Sequence, residues 1–522
     1  MPASWLKDAI FYEIYPQSFY DTNGDGIGDL KGITEKLPYV KSLGFNALWL
    51  NPIYDSPFKD AGYDVRDYTK IAPRYGTVED LVELFHTAHE LGIHVLLDLV
   101  PGHTSEEHAW FRQSMLDEDN EMSDRYIWTD NAFARGENMP FISGEAPRNG
   151  AYIINYFKSQ PALNYGYSQV NEPLWQQPID APGPMATREA MKNVMRYWLD
   201  LGCDGFRVDM ADSLVKNDHP HKLGTMEVWK DITAAIHAEY PEAALVSEWN
   251  NPRQALNCGF DMDFYLDWYG NGYSSLLRDF QRDTKGNLRT PDNSYFKADS
   301  TRDISRFLED YLPAYEDTKD KGLWCLITGN HDTNRPAPFL TDTERRLAYS
   351  FLFTMPGAPF MYYGDEIGMR YYWLPSKEGG YQRTGSRTPM QWDSSKNLGF
   401  SQADPELLYL PVDPKEDAPT VEAQEADPDS MLHHMRSLIA MRHVYEDLQC
   451  YSPFEVYSAE KGSRLFAYKR GDLLLAVNPG LENITLALDG DYFPIFTVGD
   501  SVLVNDSIVM GAQSFVILEP CE

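Results

Sequence analysis

The sequence predicts an α/β chain built on a (β/α)8 TIM barrel, with a domain inserted after the third strand and an all-β domain at the C-terminal end. Three observations point there. Eight short apolar runs are spread over residues 10–363, most of them followed by amphipathic stretches, which is the rhythm of βα units around a parallel sheet. From about Thr104 to Asn164 the rhythm stops in a polar, turn-rich stretch too long for an ordinary βα loop. Beyond about Cys450 only strand-like runs such as Leu473–Val477, Ile495–Val498 and Phe515–Leu518 remain.

The eight runs are Ile10–Tyr15, Ala47–Leu50, Val95–Val100, Gly205–Met210, Leu245–Glu248, Met262–Leu266, Leu323–Thr328 and Phe360–Tyr363. Helices are expected at Asp29–Leu43, Thr77–Leu91, Thr187–Leu201, Thr225–Glu239, Thr341–Phe353 and Asp429–Tyr445. The domains then fall at residues 1–103 and 165–449 for the barrel, 104–164 for the insertion and 450–522 for the all-β part. The acidic, proline-rich stretch Ala403–Asp429 reads as a solvated loop before the last helix.

Composition narrows the partners. At 522 residues the chain exceeds one ordinary core. A formal charge of −34 argues against nucleic acid or an anionic membrane and fits a neutral ligand. The 33 tyrosines and 12 tryptophans suit a sugar cleft, but a large core uses such rings too. The N-terminal residues show no apolar signal region, and no run reaches membrane-spanning length. Cys203, Cys258, Cys325, Cys450 and Cys521 are odd in number and lack metal-ligand spacing, so reduced thiols in a cytoplasmic protein are expected.

The chemistry is expected where strands end, because barrel active sites form at the C-terminal ends of strands. In Asp204-Gly-Phe-Arg-Val-Asp-Met210, strand alternation puts Arg207 and Asp209 on one face. The arginine is expected to orient that carboxylate and lower its pKa, which suits an ionised nucleophile; an ion pair kept for packing is the alternative. Asp60, Tyr63 and Asp64 follow the second strand, His103 the third, Glu248 ends the fifth, and Asn330-His331-Asp332-Thr-Asn-Arg335 follows the seventh. Carboxylates from separate strands can supply the ionised and protonated pair that glycoside hydrolysis requires.

Four segments together resemble the α-amylase superfamily of glycoside hydrolases, family 13: Asp98-Leu-Val-Pro-Gly-His103, Gly205-Phe-Arg207-Val-Asp209, the strand end at Glu248, and Asn330-His331-Asp332 to Arg335. The resemblance implies a barrel, an insertion after the third strand and a C-terminal β-sandwich. Position by position it implies Asp209 as nucleophile, Glu248 as general acid/base and Asp332 as the third carboxylate. It likewise implies His103 and His331 as ligands of sugar hydroxyls and Tyr63 as a stacking platform. The reaction implied is retaining. Gln160-Pro-Ala162-Leu-Asn164 and Ser386-Arg387-Thr-Pro-Met-Gln-Trp392 are similar to the oligo-1,6-glucosidase group. There the arginine, Arg387 here, is expected to pair with Asp60 and close the pocket behind a terminal glucose. An exo-acting α-glucosidase that works on short oligosaccharides is therefore expected.

Departures are equally readable. Gly102 stands where the family usually has asparagine, so the calcium site which that asparagine serves in α-amylases is not implied. Met210, after the nucleophile, matches neither the valine of α-1,6 nor the alanine or threonine of α-1,4 enzymes, so linkage stays open. Asn171–Pro184 reads as extra sequence on the rim. In Asp21-Thr-Asn23-Gly-Asp25-Gly-Ile27-Gly-Asp29, alternating oxygen side chains with glycine turns suit a structural Ca²⁺, and an acidic loop closed by Asx turns is the alternative. Related glucosidases bind Ca²⁺ through such a loop, with the Ile27 carbonyl as one ligand by resemblance; no organic cofactor is expected. Two other functions compete with hydrolysis. One is a transferase or isomerase of the same subgroup, such as a trehalose synthase; the other is an inactive scaffold of the kind that accompanies amino-acid transporters. Substrate chain length and oligomeric state are not written in these motifs.

Overall fold

Local chemistry sets the helix ends. Thr77 Oγ1 accepts the Asp80 N–H while Asp80 accepts the Thr77 N–H, and this reciprocal cap starts α2 (Val78–Glu90). Asp29 likewise caps α1 (Leu30–Leu43) by accepting from Gly32, and the left-handed Gly44 ends it. Thr341 and Glu344 repeat the reciprocal cap at Asp342–Thr354. Threonines that look like helix residues in the sequence thus sit just outside, where an unpaired N–H needs an acceptor.

The computed structural model describes residues 2–521 apart from 137, 283–287 and 379–382. The barrel strands are β1 Phe11–Ile14, β2 Ala47–Leu50, β3 His94–Leu99, β4 Gly205–Val208, β5 Ala244–Ser247, β6 Met262–Phe264, β7 Leu323–Cys325 and β8 Phe360–Tyr362. They form one parallel sheet in the order β7-β6-β5-β4-β3-β2-β1-β8. A bridge from Ile327 to Phe360, just past β7, closes it into a barrel. Most of these strand residues are buried, which is why their runs are continuously apolar. Trp49 on β2 and Phe264 on β6 meet at 5.4 Å, and Phe264 meets Phe360 at 4.8 Å. Since β2 and β6 are not neighbours in the sheet, that contact crosses the barrel interior. Burying each such ring contributes about 2–3 kcal/mol.

Helices Pro182–Leu201 and Leu223–Glu239 flank β4, and Met431–Val444 packs against α1 and Asp342–Thr354. The first begins five residues before the expected Thr187, because Pro182 at its start needs no N–H partner. The rim stretch 171–181 precedes it as turn and irregular chain. Ser305–Thr318, between β6 and β7, is a helix that the sequence reading missed. Its interior Pro313 argues against a helix there, yet Phe307, Tyr311 and Ala314 still bury one face. Strands end earlier than expected at β4, β6 and β7.

Between β3 and β4 the chain makes a short helix, Ala109–Ser114, and a two-stranded hairpin, Phe141–Ser143 with Ala151–Ile153. Phe111 packs edge-on against Tyr126 and Tyr152 there, at 5.0 Å each. From Phe454 onward the chain is all β, an antiparallel five-stranded sheet and a three-stranded one. Among the described residues no helix is long and apolar enough to cross a membrane.

Gly205 opens β4 at φ +142°, and a Cβ there would lie 1.9 Å from the Ala244 carbonyl oxygen of β5. Gly205→Ala therefore forces β4 and β5 apart beside the site. The expected cost is about 2–4 kcal/mol, read as a melting temperature lowered by several degrees. An unchanged melting curve would contradict this packing.

Candidate active site

The strand register sets the first contacts. Asp98 on β3 pairs with Arg207 on β4, so their side chains leave the sheet side by side. Arg207 Nη1 donates to Asp98 Oδ1 at 2.9 Å and to Asp209 Oδ1 at 3.1 Å, while Nη2 pairs with Glu248 Oε2 at 2.8 Å. One buried guanidinium thus holds two strand-end carboxylates and the Asp98 beneath them. Its carbon also lies 4.9 Å from the Trp49 ring centre. Met210 takes a left-handed turn (φ +42°) and donates its N–H to Glu248 Oε2 at 2.9 Å. That strained turn aims the backbone at the carboxylate and ends β4.

Asp332 enters from β7. Arg383 Nη1 donates to its Oδ1 at 2.9 Å and Arg387 Nη2 to the same oxygen at 2.7 Å. Asp60 is held by Arg383 and by Gln160 Nε2 at 2.7 Å. The expected pairing of Arg387 with Asp60 is therefore not what forms. Arg387 turns inward to Asp332 and Glu378 (2.7 Å), anchored by its Nε on the His331 carbonyl oxygen, and Arg383 spans Asp60 and Asp332. Ser386 donates to the same carbonyl at 3.0 Å, which fixes the turn that carries Arg387.

Behind these, His331 and Tyr63 are stacked, their rings 5.4 Å apart, with Tyr63 Oη 2.8 Å from His331 Nε2 and donating to Asp98 Oδ2 at 3.0 Å. His103 Nδ1 faces Asn155 Nδ2 at 3.1 Å, and Asn155 Oδ1 accepts from Lys216 at 3.1 Å. A Cβ on Gly102 would come within 2.8 Å of Asn155 Nδ2, so this side chain stands where a residue larger than glycine would reach. Asp60, Tyr63, His103, Tyr156, Asp209, Met210, Glu248, Asp332 and Arg383 line a cleft of about 180 Å³. Arg207, His331 and Arg387, each about 1% exposed, sit behind that lining.

Titration follows burial and neighbours. Burial and the Glu248 charge lift the Asp209 carboxyl well above the usual carboxylate range, and Arg207 offsets only part of this. The lowered pKa expected from Arg207 alone is thus reversed. Burial works against the charge on Asp332 too, but Arg383, His331 and Arg387 outweigh it and hold that carboxyl well below the usual range. Burial lowers His103 to about 3 and raises Asp98 to about 6, the latter against the pull of Arg207. Burial keeps Asp60 raised as well, even beside Arg383.

Away from the cleft, in the loop before α1, Asp21 Oδ1 accepts the N–H groups of Asn23 and Gly24, and its Oδ2 the Gly26 N–H and the Ser401 hydroxyl. Asn23 and Asp25 accept from Asp25 and Ile27 in turn, and Asp29 from Thr22 and Gly32. Among the described residues no three His, Cys, Asp or Glu side chains are grouped to hold a metal.

Carboxylates gathered on one arginine at the C-terminal end of a parallel barrel define an enzyme of the glycoside hydrolase type. The model of the α-amylase catalytic domain matches residues 13–450. The chain belongs to the α-amylase family of glycoside hydrolases, and within it to the oligo-1,6-glucosidase-like group. It is 34% identical over 493 residues to the trehalose synthase/amylase of Mycolicibacterium smegmatis, covering 84% of this chain and 76% of that one. It is 31% identical to the salivary α-glucosidase of Aedes aegypti (98% and 93% covered) and 33% identical to the oligo-1,6-glucosidase of Heyndrickxia coagulans (85% and 86%). Among solved structures, the isomaltulose synthase of Erwinia rhapontici NX5 superposes with a TM-score of 0.81 at 26% identity, covering 99% of both chains. The trehalulose synthase of Pseudomonas mesoacidophila MX-45 gives 0.81 at 25% identity, covering 99% of this chain and 100% of that one.

Sequence reasoning missed Arg383, Tyr156, Asn155 and Glu13. Arg383 lies four residues before Arg387, and Glu13 is an acid inside an apolar strand, so each left a signal; Tyr156 and Asn155 lie in irregular chain and left none.

Arg207→Met would leave Asp98 and Asp209 without a countercharge. Protonated carboxyls need none, so the loss of stability should be small near pH 4, grow as pH rises through about 6 where Asp98 ionises, and reach about 3–5 kcal/mol at pH 8. Melting curves of both proteins across that range check it, and a pH-independent difference would refute it.

Proposed function

We propose that the chain is a retaining, exo-acting α-glucosidase that removes one glucosyl unit from the non-reducing ends of short α-linked oligosaccharides. The observation that carries this is the Asp60–Arg383–Asp332 bridge. It supports a cleft walled at one end, which accepts a chain terminus and excludes a continuing chain. In this reading Glu248 protonates the leaving glycosidic oxygen while Asp209 attacks the anomeric carbon, so one C–O bond breaks as another forms. Glu248 then takes a proton from water, which displaces Asp209. Retention needs the two carboxyls about 5–5.5 Å apart; their shared guanidinium supports that closeness. Asp332, ionised, accepts from sugar hydroxyls. His103 and His331 donate to others, Tyr63 supplies the ring under the sugar, and Arg207 and Arg387 hold the carboxylates in place.

A second reading, glucosyl transfer or isomerisation, is favoured by the relatives named trehalose synthase, trehalulose synthase and isomaltulose synthase. The two differ only in whether water or a sugar intercepts the glycosyl-enzyme. Maltose, isomaltose, trehalose and sucrose incubated separately distinguish them. Glucose as the persistent product supports hydrolysis, and disaccharides of new linkage support transfer. Asp209→Asn and Glu248→Gln should each lower turnover at least about 10³-fold with the melting temperature little changed. Near-normal turnover in either refutes the assignment.

We also propose that the loop before α1 binds a structural Ca²⁺ through Asp21, Asn23, Asp25, Asp29 and the Ile27 carbonyl, the ion drawing together carboxylates that are not otherwise grouped to hold a metal. Gly24 (φ +77°) and Gly26 (φ +88°) give the turns such a loop needs. Burial, then the charges of Asp21 and Asp29, raise Asp25, and a cation would relieve this crowding. Asp25 accepts the Ile27 N–H on Oδ1 and keeps lone pairs beyond it. Chelation should then lower the melting temperature by several degrees, a loss of about 2.7 kcal/mol if the ion stood at a hundredfold its Kd. If neither melting temperature nor metal content responds to chelator, the loop is closed by its Asx turns alone.

A further inference from the structure

Glu13 is an acid in the middle of β1, 0% exposed, and the reaction as proposed gives it no task. Its Oε1 lies 2.9 Å from His331 Nδ1, and Asn51 Nδ2 lies 3.0 Å from the same nitrogen. Its Oε2 is buried without a hydrogen-bond partner. Which atom carries the proton decides what His331 can offer a ligand.

The other face of the ring settles that. Nε2 sits 3.4 Å from Asp332 Oδ2 and 2.8 Å from Tyr63 Oη. Asp332 is ionised by its two arginines and can only accept. The single proton of Tyr63 goes to Asp98 Oδ2, so Tyr63 also faces the ring as an acceptor. Nε2 therefore carries hydrogen. Burial, with Arg387, Arg207 and Arg383 nearby, keeps the imidazole neutral, so Nδ1 is a bare lone pair. An ionised Glu13 would set its own lone pairs against that nitrogen and bury a charged oxygen unpartnered. A neutral acid donates to Nδ1 and leaves only a carbonyl oxygen unmatched. Burial raises Glu13 well above the usual range, Asn51 and Arg207 opposing and Asp98 reinforcing. The charged and titratable groups facing it are thus His331, Arg207, Asp98 and the Tyr362 hydroxyl.

We propose that Glu13 is a positioning residue. Its carboxyl group donates to His331 Nδ1 and, together with the Asn51 amide N–H on the same nitrogen, keeps the ring proton on Nε2, where it faces Asp332 and the sugar. The inference rests on reading His331 as a sugar ligand. Were Glu13 to ionise, the proton would move to Nδ1 and Nε2 would turn a lone pair toward the Asp332 carboxylate. The donor that the sugar meets would be lost.

The full chain labelled with ¹⁵N-histidine tests this without any substrate, His331 being assigned by its loss in His331→Asn or by its shift in Glu13→Gln. At neutral pH the expected spectrum shows protonated Nε2 and bare Nδ1. A protonated Nδ1 overturns the proposal. Glu13→Gln, whose amide can donate to Nδ1, should keep that tautomer and kcat within about threefold; Glu13→Leu should lower kcat about tenfold, the equivalent of one lost hydrogen bond. Equal loss in both variants also overturns it. If Glu13→Leu does not fold, the wild-type spectrum and Glu13→Gln still decide. If no α-glucoside is turned over, the proposed function fails, while the resting tautomer still reports on Glu13.

Discussion

A single buried guanidinium, that of Arg207, holds the site together. Its two terminal nitrogens reach Asp98, Asp209 and Glu248, which come from β3, β4 and β5. A lysine would offer one point of charge, whereas the fork lets Nη1 and Nη2 serve different carboxylates at once. The backbone reinforces the fork. Asp209 N–H donates to the Leu99 carbonyl oxygen at 2.8 Å and Glu248 N–H to that of Val208 at 3.0 Å, so ladder bonding continues one residue past each strand. The position of each carboxylate thus depends on barrel register. A slip of one residue in β4 would turn Arg207 to the other face.

The rim was readable because it interrupts an apolar pattern. His103, Asp209, Glu248 and Asp332 each follow a run of buried residues, and the structure brings all four to one cleft. What stayed illegible was which of two neighbouring arginines reaches where. Arg383 and Arg387 lie four residues apart on one turn, and the choice depends on long-range anchoring of Arg387 and Ser386 to the His331 carbonyl. No local spacing encodes that. The titration of Asp209 failed for a related reason: sequence shows the cation beside it, not the depth of burial or the carboxylate of Glu248 from another strand. The helix Ser305–Thr318 was hidden by Pro313, a local signal that packing of Phe307 and Tyr311 overrides.

The carboxylates at the cleft differ in how their charge is supported, and that difference bears on the proposed catalysis. Asp332 Oδ1 takes two guanidiniums, Arg383 shared with Asp60 and Arg387 shared with Glu378, and stays ionised. Asp209 must share one guanidinium with Glu248 and Asp98, and burial with a like-charged neighbour disfavours its anion. A carboxylate in that condition gains most when a cation develops beside it. In the proposed reaction the breaking glycosidic bond supplies one at the anomeric carbon, and only as it breaks. The interaction is then stronger in the transition state than with bound sugar, which is the kind that accelerates a reaction rather than merely tightening binding. A second arginine on Asp209 would stabilise its charge beforehand and give that advantage away. In the proposed reaction the uneven placement of Arg207, Arg383 and Arg387 is therefore itself part of how the site would serve chemistry at a sugar carbon.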